Sequence, residues 1–254
     1  MTCDIQKAGL WKRIAAGMLD GILLAILAAG VAFLLGAFLG YDGYTTTWNE
    51  SCAYYEEQYN TSFQISEEQY LALSPEEKEN YENAYEALIQ DEAAVKAYNM
   101  MRSMPLLIIT GGILVACLLL EFALPMFFGN GQTVGKKVFG LGVVRVDSVR
   151  TTSLQMFVRT VLGKFTVEIM IPVYVVHMII FNTTGLEIGT LLLGALLVAQ
   201  ILIMALSANN YLIHDLLAGT VAVDFSSQKI FADTEALIAY KKKAAAEVSA
   251  RQAY

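Results

Sequence analysis

The chain has 254 residues, 56% of them hydrophobic, with a formal net charge of −7 and a mean hydropathy of +0.50. That hydropathy lies above the range of ordinary soluble domains, and the negative charge excludes an electrostatic nucleic-acid binder. Several long apolar runs in a chain of this length define a polytopic helical membrane protein.

The first run follows Leu10-Trp-Lys-Arg13-Ile-Ala-Ala-Gly-Met-Leu-Asp20 and extends uncharged from Gly21 to Leu39. At ~1.5 Å of rise per residue those nineteen residues cover about 28 Å, the thickness of a bilayer's hydrocarbon core. The apolar core of a signal peptide spans only ~7–15 residues, so a retained helix is expected. Arg13 and Asp20 lie seven apart and share a helical face. A carboxylate just inside the apolar zone requires a partner. Gly17-x-x-x-Gly21 and Gly36-x-x-x-Gly40 offer small faces for helix packing. Cys3, Cys52 and Cys117 are too scattered to suggest a disulfide.

Residues 40–103 carry thirteen acidic side chains against Lys78, Lys96 and Arg102. Ser66 before Glu67-Glu68-Gln69 and Ser74-Pro75-Glu76-Glu77 are helix-start signals, the latter joining an N-cap serine, an N1 proline and an N3 glutamate. Asp91-Glu92 opens a further stretch that feeds the second apolar run. The remaining spans are expected at Met104–Phe128, Val161–Phe181 and Ile188–Leu206, the third interrupted by Lys164, Glu168, Pro172 and His177. Fourteen of the 17 lysines and arginines fall in the N-terminus, the middle loop with the entry to the third span, and the tail. The positive-inside rule then places both termini and the middle loop in the cytoplasm of a multi-pass protein of the cell (inner) membrane.

The expected architecture is all-helical, with four transmembrane helices and a small acidic helical insertion outside the membrane. Its divisions are 1–39 (N-terminus and first span), 40–103 (insertion), 104–128 (second span), 129–160 (cytoplasmic loop), 161–225 (third and fourth spans) and 226–254 (cytoplasmic helical tail). Gly129-Asn-Gly131-Gln-Thr-Val-Gly135-Lys136-Lys137 has the wrong glycine spacing for a phosphate loop, and no Ser or Thr follows the lysine. The stretch Val138–Asp147 alternates in part and fits a strand-like or interfacial segment. No His-Glu-x-x-His, Gly-x-Ser-x-Gly or paired metal-ligand spacing occurs. An enzyme is therefore not expected. No cofactor is indicated, and the metal question stays open.

Three blocks resemble the RDD family of membrane proteins, named for one arginine and two aspartates. They are Trp11-Lys-Arg13 through Asp20, Gly135-Lys136-Lys137-Val-Phe-Gly140-Leu-Gly142 followed by Arg159, and Leu212-Ile-His214-Asp215-Leu-Leu-Ala-Gly219-Thr220. The resemblance covers nearly the whole chain apart from 40–103. It implies a small multi-span protein suspected of transport, with cation/proton exchange proposed for some members. Two departures stand out. Gly142 occupies a position that is usually basic, and Asn209-Asn210 replaces a frequent arginine, with Arg145 a candidate substitute.

The candidate charge cluster, transport-related or structural, is Arg13, Asp20, Glu121, Arg159, Lys164, Glu168 and Asp215, with Gly135, Lys136, His214, Gly219 and Thr220 as motif positions. All four carboxylates fall towards the cytoplasmic ends of their spans. Arg13 is expected within reach of Asp20 or Asp215, and Lys164 can pair with Glu168 at i,i+4. Glu121 and Glu168 each precede a proline by four, which frees the glutamate's own carbonyl beside its carboxylate. His177 is a candidate proton relay. Two functions are consistent with these residues. One is small-solute or ion transport, most concretely cation/proton exchange on Asp20 and Asp215 with Glu121 and Glu168. The other is a non-transporting accessory role, in which the protein binds or regulates a membrane partner through its acidic insertion or its cytoplasmic loop. The lipid bilayer is the expected environment, and four spans favour a homo-oligomer for transport.

Overall fold

The computed structural model describes residues 5–170, 172–173, 186–207 and 210–252, and the chain divides into two compact units, Met1–Val31 with Gly112–Tyr254, and Ala32–Gly111. His177 and most of the expected third span's second half lie outside the described residues. The fold is mostly helical. Two helices are long and apolar enough to cross a membrane: α1 (Leu10–Phe38), and the continuous helix 92–128 that begins with α5 (Glu92–Cys117).

Within the longer helix, a π-helical turn (Leu118–Ala123) precedes α6 (Leu124–Phe128). Proline at 125 cannot donate to the Glu121 carbonyl, and the wider turn sits where that bond is missing. Trp11, Met18, Ile22 and Ile26 on α1 are exposed. An apolar surface of that extent suits lipid rather than water.

In the Ala32–Gly111 unit, α2 (Tyr41–Gln58) follows Gly40, whose φ of 71° ends α1 in the left-handed conformation that glycine adopts without strain. Both serine signals form complete capping boxes. Ser66 and Gln69 start α3 (Glu67–Ala72), and Ser74 and Glu77 start α4 (Pro75–Gln90). Asp91 accepts the Ala93 N–H at 2.8 Å and so caps α5. Ala84, Leu88, Ala94 and Ala97 are buried. Rings pack around them, Trp48 on Tyr98 at 4.9 Å and Tyr81 between Phe63 and Tyr70. Tyrosine rings thus contribute to this unit's packing.

The other unit departs from an all-helical reading. After α7 (Val134–Val138), β1 (Leu141–Arg145) pairs antiparallel with β2 (Thr220–Asp224), Gly142 opposite Val223 and Arg145 opposite Thr220. Both strands are valine-rich and buried over their first four residues, so they form a small core element rather than an interfacial segment. Lys7 bridges to Val223 on the far side, and Lys12 pairs with Asp224 at 2.9 Å. Residues from the N-terminal, central and closing blocks therefore meet at one sheet. Gly142 lacks a side chain because Phe225 lies over it: a Cβ there would stand 3.1 Å from the ring.

After α8 (Ser153–Phe157), capped by Thr152, comes a second π-helical segment, Val158–Glu168. It stops before Met170, whose φ of 57° breaks the helix. The described part of the expected third span is therefore not a regular α-helix. An apolar helix, α9 (Leu186–Leu206), leads to the short α10 (Ile213–Ala218), which packs on the second π segment. The tail helix α11 (Thr234–Gln252) is tethered by Leu237, buried with Val149 and Phe231.

Candidate functional site

Eight charged or ionisable side chains line one cavity of about 320 Å³ in this unit: Arg13, Asp20, Glu121, Lys136, Arg159, Lys164, Glu168 and His214. Asp215 and Thr220, almost completely buried, connect to the same network. The charges balance, four cations (Arg13, Lys136, Arg159, Lys164) against four carboxylates (Asp20, Glu121, Glu168, Asp215). A membrane-embedded charge costs at least ~2.5–3.5 kcal/mol, which pairing of this kind offsets.

Asp215 is the most heavily bonded carboxylate. Its Oδ1 accepts from Arg159 Nη1 and from Thr220 Oγ1 at 3.4 Å, and its Oδ2 from Arg13 Nη2 at 3.3 Å and the Leu212 N–H at 3.2 Å. Burial alone would push its carboxyl up. The two guanidiniums, with Arg159 the stronger, outweigh that and hold it below the usual aspartate range. Arg13 also donates to the Asn210 carbonyl at 2.5 Å. Asn210 sits at φ 53°, a left-handed position that asparagine tolerates, and its backbone meets the cation directly. Arg145 does not substitute for the missing arginine, because it pairs with Asp147 at 2.8 Å outside the cavity.

Arg159 also fixes the tautomer of His214. Its Nη2 lies 2.9 Å from His214 Nε2, and a guanidinium can only donate, so Nε2 accepts and the imidazole proton sits on Nδ1. Nδ1 donates to Glu168 Oε1 at 2.7 Å, and the His214 backbone N–H adds a second bond to the same oxygen at 3.1 Å. Burial and the facing Arg159 lower the histidine's pKa and favour this neutral form. Gly163 makes the approach possible, since a Cβ there would lie 2.7 Å from the His214 Cβ.

The expected Lys164–Glu168 pair does not form. The second π segment closes its turns with i→i+5 bonds, such as Ile169 N–H to the Lys164 carbonyl, so residues four apart do not stack as they would in an α-helix. Lys164 pairs instead with Glu121 across to the other π turn, and Glu168 with His214. The Glu121 carbonyl freed by Pro125 accepts the Thr160 hydroxyl at 3.0 Å, so it does not open into the cavity as an unfilled oxygen.

Asp20 is held differently. Its Oδ1 accepts the Gly135 N–H at 2.7 Å, and its Oδ2 accepts the Thr133 hydroxyl. Its cation, Lys136, stands 3.7 Å away and donates instead to Thr133 Oγ1 at 3.1 Å. Gly135 is required by contact: a Cβ there would run into the Ala16 carbonyl and the Asp20 carboxyl. The Lys136 pKa is pushed down to about 8, first by burial and then by Arg159, with Glu121 and Asp20 opposing.

Among the described residues, no group of three or more His, Cys, Asp or Glu side chains is arranged to hold a metal ion. Gly219, at φ 61°, ends α10 and turns the chain into β2, so its part is conformational. Reading the sequence for charges missed Thr133 and Thr160, the hydroxyls that hold Asp20 and the Glu121 carbonyl. The signal the sequence offers is position alone: Thr133 lies three residues before Lys136, and Thr160 follows Arg159.

The RDD family profile matches residues 7–219, which takes in every charged side chain of the cavity and Asp215. No curated protein and no solved structure matches the chain. With the three motif blocks meeting at one sheet and one charged cavity, and a match over most of its length, the chain belongs to the RDD family of membrane proteins.

Proposed function

We propose that the protein is a membrane transporter of a small solute or ion, most concretely a cation/proton exchanger, with Asp20 as the carboxylate that alternates between proton and cation. The observation that carries this reading is the unequal binding of the two family aspartates around the cavity. Asp215 is saturated by Arg13, Arg159, Thr220 and a backbone N–H. Asp20 has hydroxyl and amide donors, and the Lys136 ammonium stands 3.7 Å away. A carboxylate on a cavity wall with a loosely held counter-ion is suited to exchange; one locked between two guanidiniums is suited to holding helices together.

The proposed topology has four spans, with both termini and the Gly135-Lys136 loop in the cytoplasm and the acidic insertion outside. The basic residues outside 40–103 support it. The insertion's net negative charge would concentrate cations near the outer face. Residues from several helices wall one cavity in a single chain, and a homo-oligomer would complete the shielding from lipid.

The test is dissipation of an imposed pH gradient in liposomes containing the purified protein, challenged with Na⁺, K⁺ and Li⁺. Cation-dependent proton movement above protein-free liposomes is the expected result. Its absence from correctly inserted protein would overturn the reading in favour of an accessory protein that binds a membrane partner through its acidic cap.

A further inference from the structure

We propose that Lys136 is a tethered competitor for the cation site, its ammonium occupying the place on Asp20 and Thr133 that the exchanged monovalent cation takes. This rests on the exchange reading and adds an occupant, a ligand set and a form of self-regulation. Three of the cavity's four cations are pinned. Arg13 bonds Asp215 and the Asn210 carbonyl, Arg159 bonds Asp215, Thr220 and His214, and Lys164 contacts Glu121 directly. Among the described residues, the Lys136 ammonium makes one hydrogen bond, to the Thr133 hydroxyl at 3.1 Å, and stands 3.7 Å from the Asp20 carboxylate, with Glu121 attracting it as well.

The attachment below that ammonium is rigid. The Gly135 N–H bonds Asp20, and the absence of a Cβ lets the backbone lie against the Ala16 carbonyl. Thr133 caps α7 through the Lys136 N–H. The backbone is therefore fixed while a four-carbon side chain extends from it into a cavity of about 320 Å³ with room to turn. When it turns, it leaves Asp20 Oδ2 and Thr133 Oγ1 facing the space it occupied. One carboxylate and one hydroxyl are hard oxygen ligands of total charge −1, which matches a monovalent ion. Divalent sites draw on more charge than that.

Lys136 would then set the working affinity. Cation binding must displace an internal ammonium, so the apparent affinity is lower than that of the bare site.

The experiment uses the full-length protein in detergent, titrated with NaCl or LiCl against choline chloride at constant ionic strength, with CaCl2 as the divalent probe. Binding is read as the rise in thermal midpoint. Lys136→Met is expected to reach half-maximal stabilisation at about one tenth of the wild-type Na⁺ or Li⁺ concentration. Lys136→Arg, whose fork can grip Asp20 with two bonds, is expected to need about tenfold more. Asp20→Asn should show no response, and Ca²⁺ should not substitute in any of them.

Equal midpoints of the Na⁺ titration in wild type, Lys136→Met and Lys136→Arg would overturn the competitor role, as would a response that survives in Asp20→Asn. If Lys136→Met does not fold, the Lys136→Arg comparison decides alone. Exchange in liposomes with titrations indifferent to residue 136 would sink this inference and leave the transport reading standing. Absence of both flux and cation-dependent stabilisation would sink both.

Discussion

The two aspartates that give the family its name sit in the same unit, yet their surroundings differ in kind. Asp215 is bonded by two guanidiniums, a hydroxyl and a backbone N–H, and a histidine hydrogen-bonded between Arg159 and Glu168 extends the network. Asp20 is held by one hydroxyl and one amide, with its lysine at arm's length. The difference shows that motif identity does not fix role. A carboxylate whose lone pairs are all committed to cations and donors cannot release them cheaply, whereas one held by neutral donors can change counter-ions without dismantling its support.

Breaking this contrast should be most visible at Asp215. Asp215→Asn leaves two buried guanidiniums without their shared carboxylate, and removing one partner of a buried pair costs ~3–5 kcal/mol. The expected outcome is loss of monodisperse protein on size exclusion in detergent. A well-behaved variant with a wild-type thermal midpoint would refute the structural role. Next come the glycines that allow close approach. Gly163→Ala places a Cβ into His214, and overpacking of this kind costs ~1–3 kcal/mol, to be read as a lowered thermal midpoint. Thr160→Val removes the hydroxyl that satisfies the Glu121 carbonyl, with an expected cost of ~1 kcal/mol on the same scale.

The smallest effect belongs to the exposed clip between Lys12 and Asp224. Bonds from Ser226 and Lys12 lower the Asp224 pKa to about 2. A carboxyl lowered on folding contributes stability above its unfolded pKa and loses it as pH falls through the folded value. The contribution is thus complete above about pH 4 and fades towards pH 2, and Asp224→Asn should flatten that part of the stability–pH curve. Because the pair faces solvent, the change should be slight.

Local features were legible in the sequence because local chemistry decides them. The uncharged run after Asp20 and the Ser66 and Ser74 caps depend on a few neighbouring residues. The strand pair was harder, because β1 and β2 lie about 80 positions apart and each reads as a short apolar stretch alone. The pairing of Lys164 was misassigned for a different reason. An i,i+4 rule assumes an α-helix, and the Val158–Glu168 segment winds as a π-helix. Thr133 escaped notice because hydroxyls carry no charge pattern, although one of them supports the carboxylate on which the proposed function turns.

The central claim is that Asp20 exchanges while Asp215 holds the fold. Its most direct test is proton flux driven by Na⁺ in liposomes carrying equal amounts of wild-type and Asp20→Asn protein, each verified as monodisperse and inserted. The account predicts flux in the wild type and a folded, inactive Asp20→Asn. Wild-type flux that persists undiminished in Asp20→Asn would contradict it and move the exchanging group elsewhere.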